Sequence, residues 1–404
     1  MGTVYFGGNF EGFPVIWDTG SEWPVIMSMR CLSCPPPMAK YNFFDEIGIT
    51  FYQKPNSCGV RNYGSARIEG CEARDWVCVA PLDDACARNM QIFVGTRQQG
   101  LPQEISGIIG LATDADRFIG PNVIKILRNS GAIEDIIFAF YLRSHLDTGS
   151  SFIDIGQILN DRMSSPSDLI EISILNEDYF WSNTVKGIKF GSDDTDEWGM
   201  EEVKAFLDSG TSFITISFLY WDWFLDHLAS FLPSGFTIYE EDADRRGRLY
   251  VLTDCAEYQN LPKISLLLAG YWFEILPSDY IINYVGIGCL LNFVRDDEHQ
   301  IILGIPFMKG YYITHNLDTL KFGIVPQNDS AKLKGVSGTQ PQRFAARIND
   351  ENLMWLWICL GVICGALAGW GIYEWVIHCK KKKKEPKIVD DGPLFDVNGM
   401  LAKR

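Results

Sequence analysis

The sequence predicts a mainly β body of two similar lobes, followed by one C-terminal transmembrane helix. Three observations predict it. An apolar strand that runs into Asp-Thr-Gly or Asp-Ser-Gly occurs twice, at Asp18 and Asp208; each copy is followed downstream by an apolar-apolar-glycine segment; and an unbroken apolar stretch covers residues 353–377. A chain of 404 residues with 47% hydrophobic composition can bury a sizeable core. Its formal net charge of −16 offers no basic field to neutralise phosphates, apart from one short lysine run, which argues against a nucleic-acid partner.

The chain begins with a glycine-rich stretch, Met1 to Phe13, instead of the basic start and apolar run of an export signal, so an N-terminally incomplete sequence is expected. Phe13-Pro-Val-Ile-Trp-Asp18-Thr19-Gly20-Ser21 follows at once. Val203-Lys-Ala-Phe-Leu-Asp208-Ser209-Gly210-Thr211 repeats its grammar, and Gly107-Ile-Ile-Gly110 matches Ile301-Ile-Leu-Gly304 at similar separation. Two lobes, each offering one carboxylate, are expected. Hydrolysis of a peptide without metal or covalent intermediate needs one group to take a proton from water and another to protonate the scissile carbonyl oxygen. Two carboxylates that share one proton supply both, because like charges held close push their titrations apart. Glycine after the Asp-Thr or Asp-Ser step permits a tight turn that aims backbone N–H groups at the carboxylates. The hydroxyls of Ser21 and Thr211 can donate to the outer carboxylate oxygens.

Taken singly, Asp-Thr-Gly marks many ordinary turns. The paired motifs with their flanking strands resemble the pepsin-like aspartic proteases across roughly residues 5–325. Tyr63-Gly64-Ser65-Ala66 through Gly70 is similar to the family's flap hairpin, whose tyrosine closes over bound peptide; Gly149 to Gly156, Tyr179-Phe-Trp181, Leu261-Pro-Lys-Ile264 and Phe307 to Tyr312 resemble further family segments. The resemblance implies a bilobal pepsin-like aspartic protease fold, an aspartic endopeptidase with Asp18 and Asp208 catalytic, and no cofactor. Thr19, Gly20, Ser21, Ser209, Gly210 and Thr211 would support the pair, and Tyr63, Gly64 and Ser65 would contact substrate. Polypeptides are the expected substrates. The sequence departs from the family after Ser21, where the order is Glu22-Trp23-Pro24-Val25, so that the tryptophan that normally supports the flap tyrosine is either displaced or absent. A catalytically weak or inactive pepsin-like binding protein on the same fold is the alternative, because fold alone does not fix activity.

Eight cysteines precede the apolar stretch, six early and two late, as separate disulfide sets in an oxidising compartment require. The family resemblance pairs Cys255 with Cys289; the pairing of the other six stays open. Cys31-x-x-Cys34 also opens a zinc reading, but no matching histidine pair accompanies it, and no metal is expected.

The expected organisation is an N-terminal lobe over 1–160, a C-terminal lobe over 161–326, a polar stalk over 327–352, a transmembrane helix over 353–377 and a cytoplasmic tail over 378–404. Tryptophans near both ends of the apolar stretch and the run Lys380 to Lys384 after it fit a single-pass type I protein, its lobes luminal or extracellular and its tail cytosolic. Asn328-Asp-Ser330 is a glycosylation sequon. Gly361, Gly365 and Gly369 lie on one face of the apolar stretch, where they either permit weak helix dimerisation or reflect the ordinary abundance of glycine in such helices.

Overall fold

The computed structural model describes residues 1–345 except 37, 43–49, 65, 114–120, 144–148, 176–177, 193, 233–237, 243–247, 253–260 and 285–287. The first part is a run of strands, β1 (Gly2–Phe6), β2 (Glu11–Asp18), β3 (Pro24–Met27), β4 (Tyr52–Asn62), β5 (Arg67–Cys78), β6 (Cys86–Gln99) and β7 (Gly107–Gly110). They form one seven-stranded sheet in the order β1-β2-β7-β3-β6-β5-β4. Helix α1 (Val123–Asn129), capped by the Asn122 side chain, leads to β8 (Ile137–Tyr141), β9 (Phe152–Ile155) and β10 (Ile170–Ser173). The second part holds β11 (Ser182–Phe190), β12 (Glu197–Leu207), β13 (Ile214–Ser217), α2 (Trp221–Ala229), β14 (Ile238–Asp242), β15 (Arg248–Leu252), β16 (Ile264–Leu268) and β17 (Tyr271–Ile275). It continues through α3 (Pro277–Tyr280), β18 (Ile281–Tyr284), β19 (Gly288–Leu291), β20 (Phe293–Asp296), β21 (Gln300–Leu303), α4 (Ile305–Met308), β22 (Tyr311–Asn316), β23 (Lys321–Pro326) and β24 (Val336–Ser337).

The sequence repeat reappears as a repeat of pairing. β2 runs parallel to β7, with Asp18 opposite Gly110, and β7 is antiparallel to β3, which is parallel to β6. In the second part β12 runs parallel to β21, β21 is antiparallel to β13, and β13 is parallel to β20. The glycines that close the apolar-apolar-glycine segments have a steric reason. A Cβ on Gly110 would stand 2.3 Å from the Glu22 carbonyl carbon, and one on Gly304 2.0 Å from the Phe213 carbonyl oxygen. Each glycine thus lets the chain leaving the Asp turn cross directly over the neighbouring strand. β3, β7 and β13 are buried at every position, as strands covered on both faces must be, whereas β2 alternates and buries Phe13, Val15 and Trp17.

A third, fully antiparallel sheet of order β10-β23-β22-β8-β9 takes strands from both halves of the chain. It crosses the expected boundary between the lobes: β8, which falls inside the expected N-terminal segment and pairs with β9, is laddered to β22 from the C-terminal one. Its Phe138 packs on Trp181 at 5.8 Å between ring centroids, and the Trp181 indole N–H donates to the Leu111 carbonyl at 2.8 Å.

The stalk expected over 327–352 is corrected for its described part. Residues 327–345 pack on the body: β24 pairs with β17, Phe344 bridges to Gly199, and the Arg343 guanidinium lies 3.4 Å over the Trp198 ring. Lys332 is only 1% exposed, and its Nζ meets Asp279 at 3.2 Å and the Phe307 carbonyl at 3.0 Å. The segment reads as polar because single cross-chain contacts hold it, not a periodic apolar face. Among the described residues no helix is long and apolar enough to cross a membrane. The expected span 353–377 with its glycines, the rest of the expected stalk, and the tail all lie outside the described residues.

Candidate active site

Asp18 is the last residue of β2, and Asp208 directly follows β12, so the two parallel strand pairs deliver one carboxylate each. Both side chains are 8% exposed. The Gly20 N–H donates to Asp18 Oδ1 at 2.9 Å and the Ser21 hydroxyl to Oδ2 at 2.6 Å. Around Asp208 the Gly210 N–H donates to Oδ1 at 2.8 Å and the Thr211 hydroxyl to Oδ2 at 2.6 Å. The two environments are thus near copies, as the duplicated motifs require.

The copies interlock. The Thr19 hydroxyl donates to the Leu207 carbonyl at 2.9 Å and accepts from the Ser209 N–H at 2.9 Å. Reciprocally, the Ser209 hydroxyl donates to the Trp17 carbonyl at 2.6 Å and accepts from the Thr19 N–H at 3.0 Å. These buried hydroxyls fix one turn against the other, because each satisfies a donor and an acceptor that water cannot reach. Gly20 and Gly210 are needed at the crossing. A Cβ on Gly20 would lie 2.6 Å from Asp208 Cγ, and one on Gly210 2.3 Å from Asp18 Oδ1.

Burial raises the Asp18 pKa well above the ordinary carboxyl value, and the charge of Asp208, which also hydrogen-bonds to it, raises it further; the Ser21 and Gly20 donors pull it back. A carboxyl in this setting keeps its proton above the ordinary carboxyl range.

Tyr63 stands at the end of the hairpin formed by β4 and β5, its N–H donating to the Ala66 carbonyl at 2.7 Å. Burial raises its hydroxyl pKa, and the charge of Asp18 adds to the shift, so the tyrosine and the carboxylate pair share one region. Gly64 has open space where a side chain would be, and Ser65 lies outside the described residues. Tyr63 packs against a buried cluster that contains Trp23, Val25, Leu101 and Ile108. Trp23 is therefore displaced in sequence but not lost from the flap's surroundings: strand alternation puts it on the same face as Val25, two residues on.

Cys58 is bonded to Cys71 and Cys78 to Cys86, each a cross-strand link at a paired position of the sheet, and Cys31 is bonded to Cys34, which removes the zinc reading of that pair. Cys289 is disulfide-bonded, while Cys255 lies outside the described residues. Two supports escaped the sequence reading. Asn122 carries a signal in sequence, a cap residue before an apolar run; its side chain also donates to the Ala112 carbonyl at 2.9 Å, just past the Gly110 strand. Arg61 carries none, and its contacts appear only in three dimensions.

The family model for eukaryotic aspartyl proteases matches residues 1–327. The chain is 27% identical over 335 residues to a vacuolar aspartic protease of Candida albicans, covering 80% of this chain and 74% of that protein. It is 22% identical over 332 residues to a gastricsin of Callithrix jacchus, covering 80% of each, and 26% identical over 332 residues to vacuolar protease A of Neurospora crassa, covering 80% and 76%. A repeated strand pairing that ends in two facing carboxylates, together with a family match over most of its length, means that this chain belongs to the eukaryotic aspartyl proteases and is an aspartic endopeptidase of polypeptides.

Proposed function

We propose that Asp18 and Asp208 are the catalytic pair and that one proton shared between them activates the attacking water. The observation that carries this is the pair of buried carboxyls that the interlocked turns bring together, each held by a glycine N–H and a hydroxyl. In the reaction the ionised carboxylate takes a proton from water as the protonated carboxyl gives its own to the scissile carbonyl oxygen. The resulting gem-diol collapses with proton transfer to the leaving amine, which restores the pair. Thr19 and Ser209 hold the turns, Ser21 and Thr211 orient the outer oxygens, and Tyr63 covers the substrate, which enters as an added extended strand. Incubating the protein with a mixed peptide library from acid to neutral pH, with and without a non-hydrolysable mimic of the diol, tests the reading. Cleavage that the mimic abolishes is expected; tight binding of the mimic with no cleavage at any pH would identify a binding protein instead.

The same reading places the lobes in the lumen of the secretory or endolysosomal pathway, or outside the cell, tethered by a single span over 353–377. Disulfides in the N-terminal lobe and relatives named as vacuolar proteases and gastricsins support the compartment; the apolar stretch and its trailing lysines support the tether. On sealed, lumen-inside vesicles, added trypsin should trim the lysine-rich tail and spare the lobes until detergent is added. Digestion of the lobes with survival of the tail would invert the topology.

A further inference from the structure

We propose that Arg61 is the positioning residue of the flap, locking the tyrosine-bearing hairpin to the segment that leaves the Asp18 turn; this rests on the reading of Asp18, Asp208 and Tyr63 given above. β4 is an edge strand on which every residue is exposed except Ser57 and Arg61, so little side-chain packing holds it to the body. Arg61 lies two residues before Tyr63, hence on the same side of the hairpin. Its guanidinium sits 4.0 Å from the Trp23 ring centroid and 5.3 Å from that of Phe93 on β6. From β5, Glu72 pairs with it at 3.5 Å and is itself held by Lys54 at 2.8 Å and Gln91 at 3.1 Å.

The guanidinium is thus placed over one aromatic face and steered by a fixed carboxylate. A cation over an indole is attracted to its negative face, and a planar guanidinium stacks there better than an ammonium. Trp23 follows Asp18-Thr-Gly-Ser-Glu directly, so this contact connects the hairpin to the catalytic turn by a short stretch of chain. Arg61 also acts electrostatically on the Tyr63 hydroxyl, opposing the effects of Asp18 and Glu22. The stack therefore sets how the flap closes over a bound strand, while the proton chemistry stays with the carboxyls.

A substitution series tests this. Arg61→Met keeps the aliphatic stem and removes the stack; Arg61→Lys keeps the charge without the plane; Trp23→Leu removes the partner ring. With active sites counted by titration against the diol mimic, so that only folded enzyme is compared, Arg61→Met should raise KM about tenfold and leave kcat within about twofold. Arg61→Lys should fall between it and the parent. On the Trp23→Leu background, Arg61→Met should add almost nothing, because the interaction is already gone. An unchanged KM, a uniform loss of kcat, or effects of Arg61→Met and Trp23→Leu that simply multiply would each overturn the proposal. Failure of the underlying site reading has a different signature, turnover by Asp208→Asn, whatever Arg61 does.

Discussion

Asp208→Asn, made in otherwise unaltered protein, lowers kcat/KM by about 10³- to 10⁴-fold, and Asp18→Asn does the same. The size follows from the role. An amide can neither accept the proton of the attacking water nor pass one to the carbonyl oxygen, so each substitution removes general acid–base catalysis from the pair proposed to provide it. At about 1.4 kcal/mol per factor of ten, the loss corresponds to roughly 4–5.5 kcal/mol of barrier. Stability should move the other way, or not at all. Two buried carboxyls held close together repel when both ionise, and replacing one relieves that repulsion, while the Asn oxygen can still accept from the Gly210 N–H and its amide N–H can donate to the Thr211 hydroxyl. An unfolding midpoint at neutral pH equal to or above that of the parent, with activity near background, is the expected combination. Turnover close to the parent by either variant would remove the pair from the mechanism.

The site was legible in sequence because its requirements are local. A carboxylate at a strand end, a hydroxyl one residue on, a glycine after it and another hydroxyl beyond can be read in four letters, and the duplication turned a common turn into a specific signal. The pairing of Asp18 opposite Gly110, and of Leu207 opposite Leu303, follows the same repeat. The crossed bonds of Thr19 and Ser209 were legible as residues but not as geometry. What the sequence hid depends on contacts between distant segments. Lys332 looks like stalk polarity until Asp279, 53 positions earlier, is found beside it. Arg61 looks like an exposed strand residue until the Trp23 ring is found beneath it. Six cysteines permit many pairings, and only the strand register put Cys58 against Cys71 and Cys78 against Cys86.

A last expected result concerns His315, on β22 of the five-stranded sheet. Its ring is 0% exposed and stacks on Phe138 at 4.5 Å and 4°, with Trp181 at 4.8 Å and Phe140 at 5.9 Å edge-on. Neither ring nitrogen has a side-chain partner among the described residues. Burial in this aromatic setting pushes its pKa down to about 3, from an ordinary value of 6.5. The folded protein therefore keeps His315 neutral where the unfolded chain would protonate it. Its contribution to stability is complete above pH 6.5 and is lost progressively as pH falls toward 3, amounting to about 3 kcal/mol at pH 4. Asp18 has the opposite sign. Its folded pKa is raised, so the folded state binds the extra proton, and stability falls as pH rises from the ordinary carboxyl value through the raised one. Acid thus relieves the Asp18 carboxyl while it penalises the buried histidine, so the two effects oppose each other. His315→Phe on the Asp208→Asn background, where self-digestion cannot interfere, isolates the first term. Urea unfolding at pH 7.5 and pH 4 should show the substitution more favourable at pH 4 by about 3 kcal/mol, whatever its packing cost at both. An effect of His315→Phe that is the same at the two pH values would mean that the histidine is already protonated, or solvated, in the folded protein.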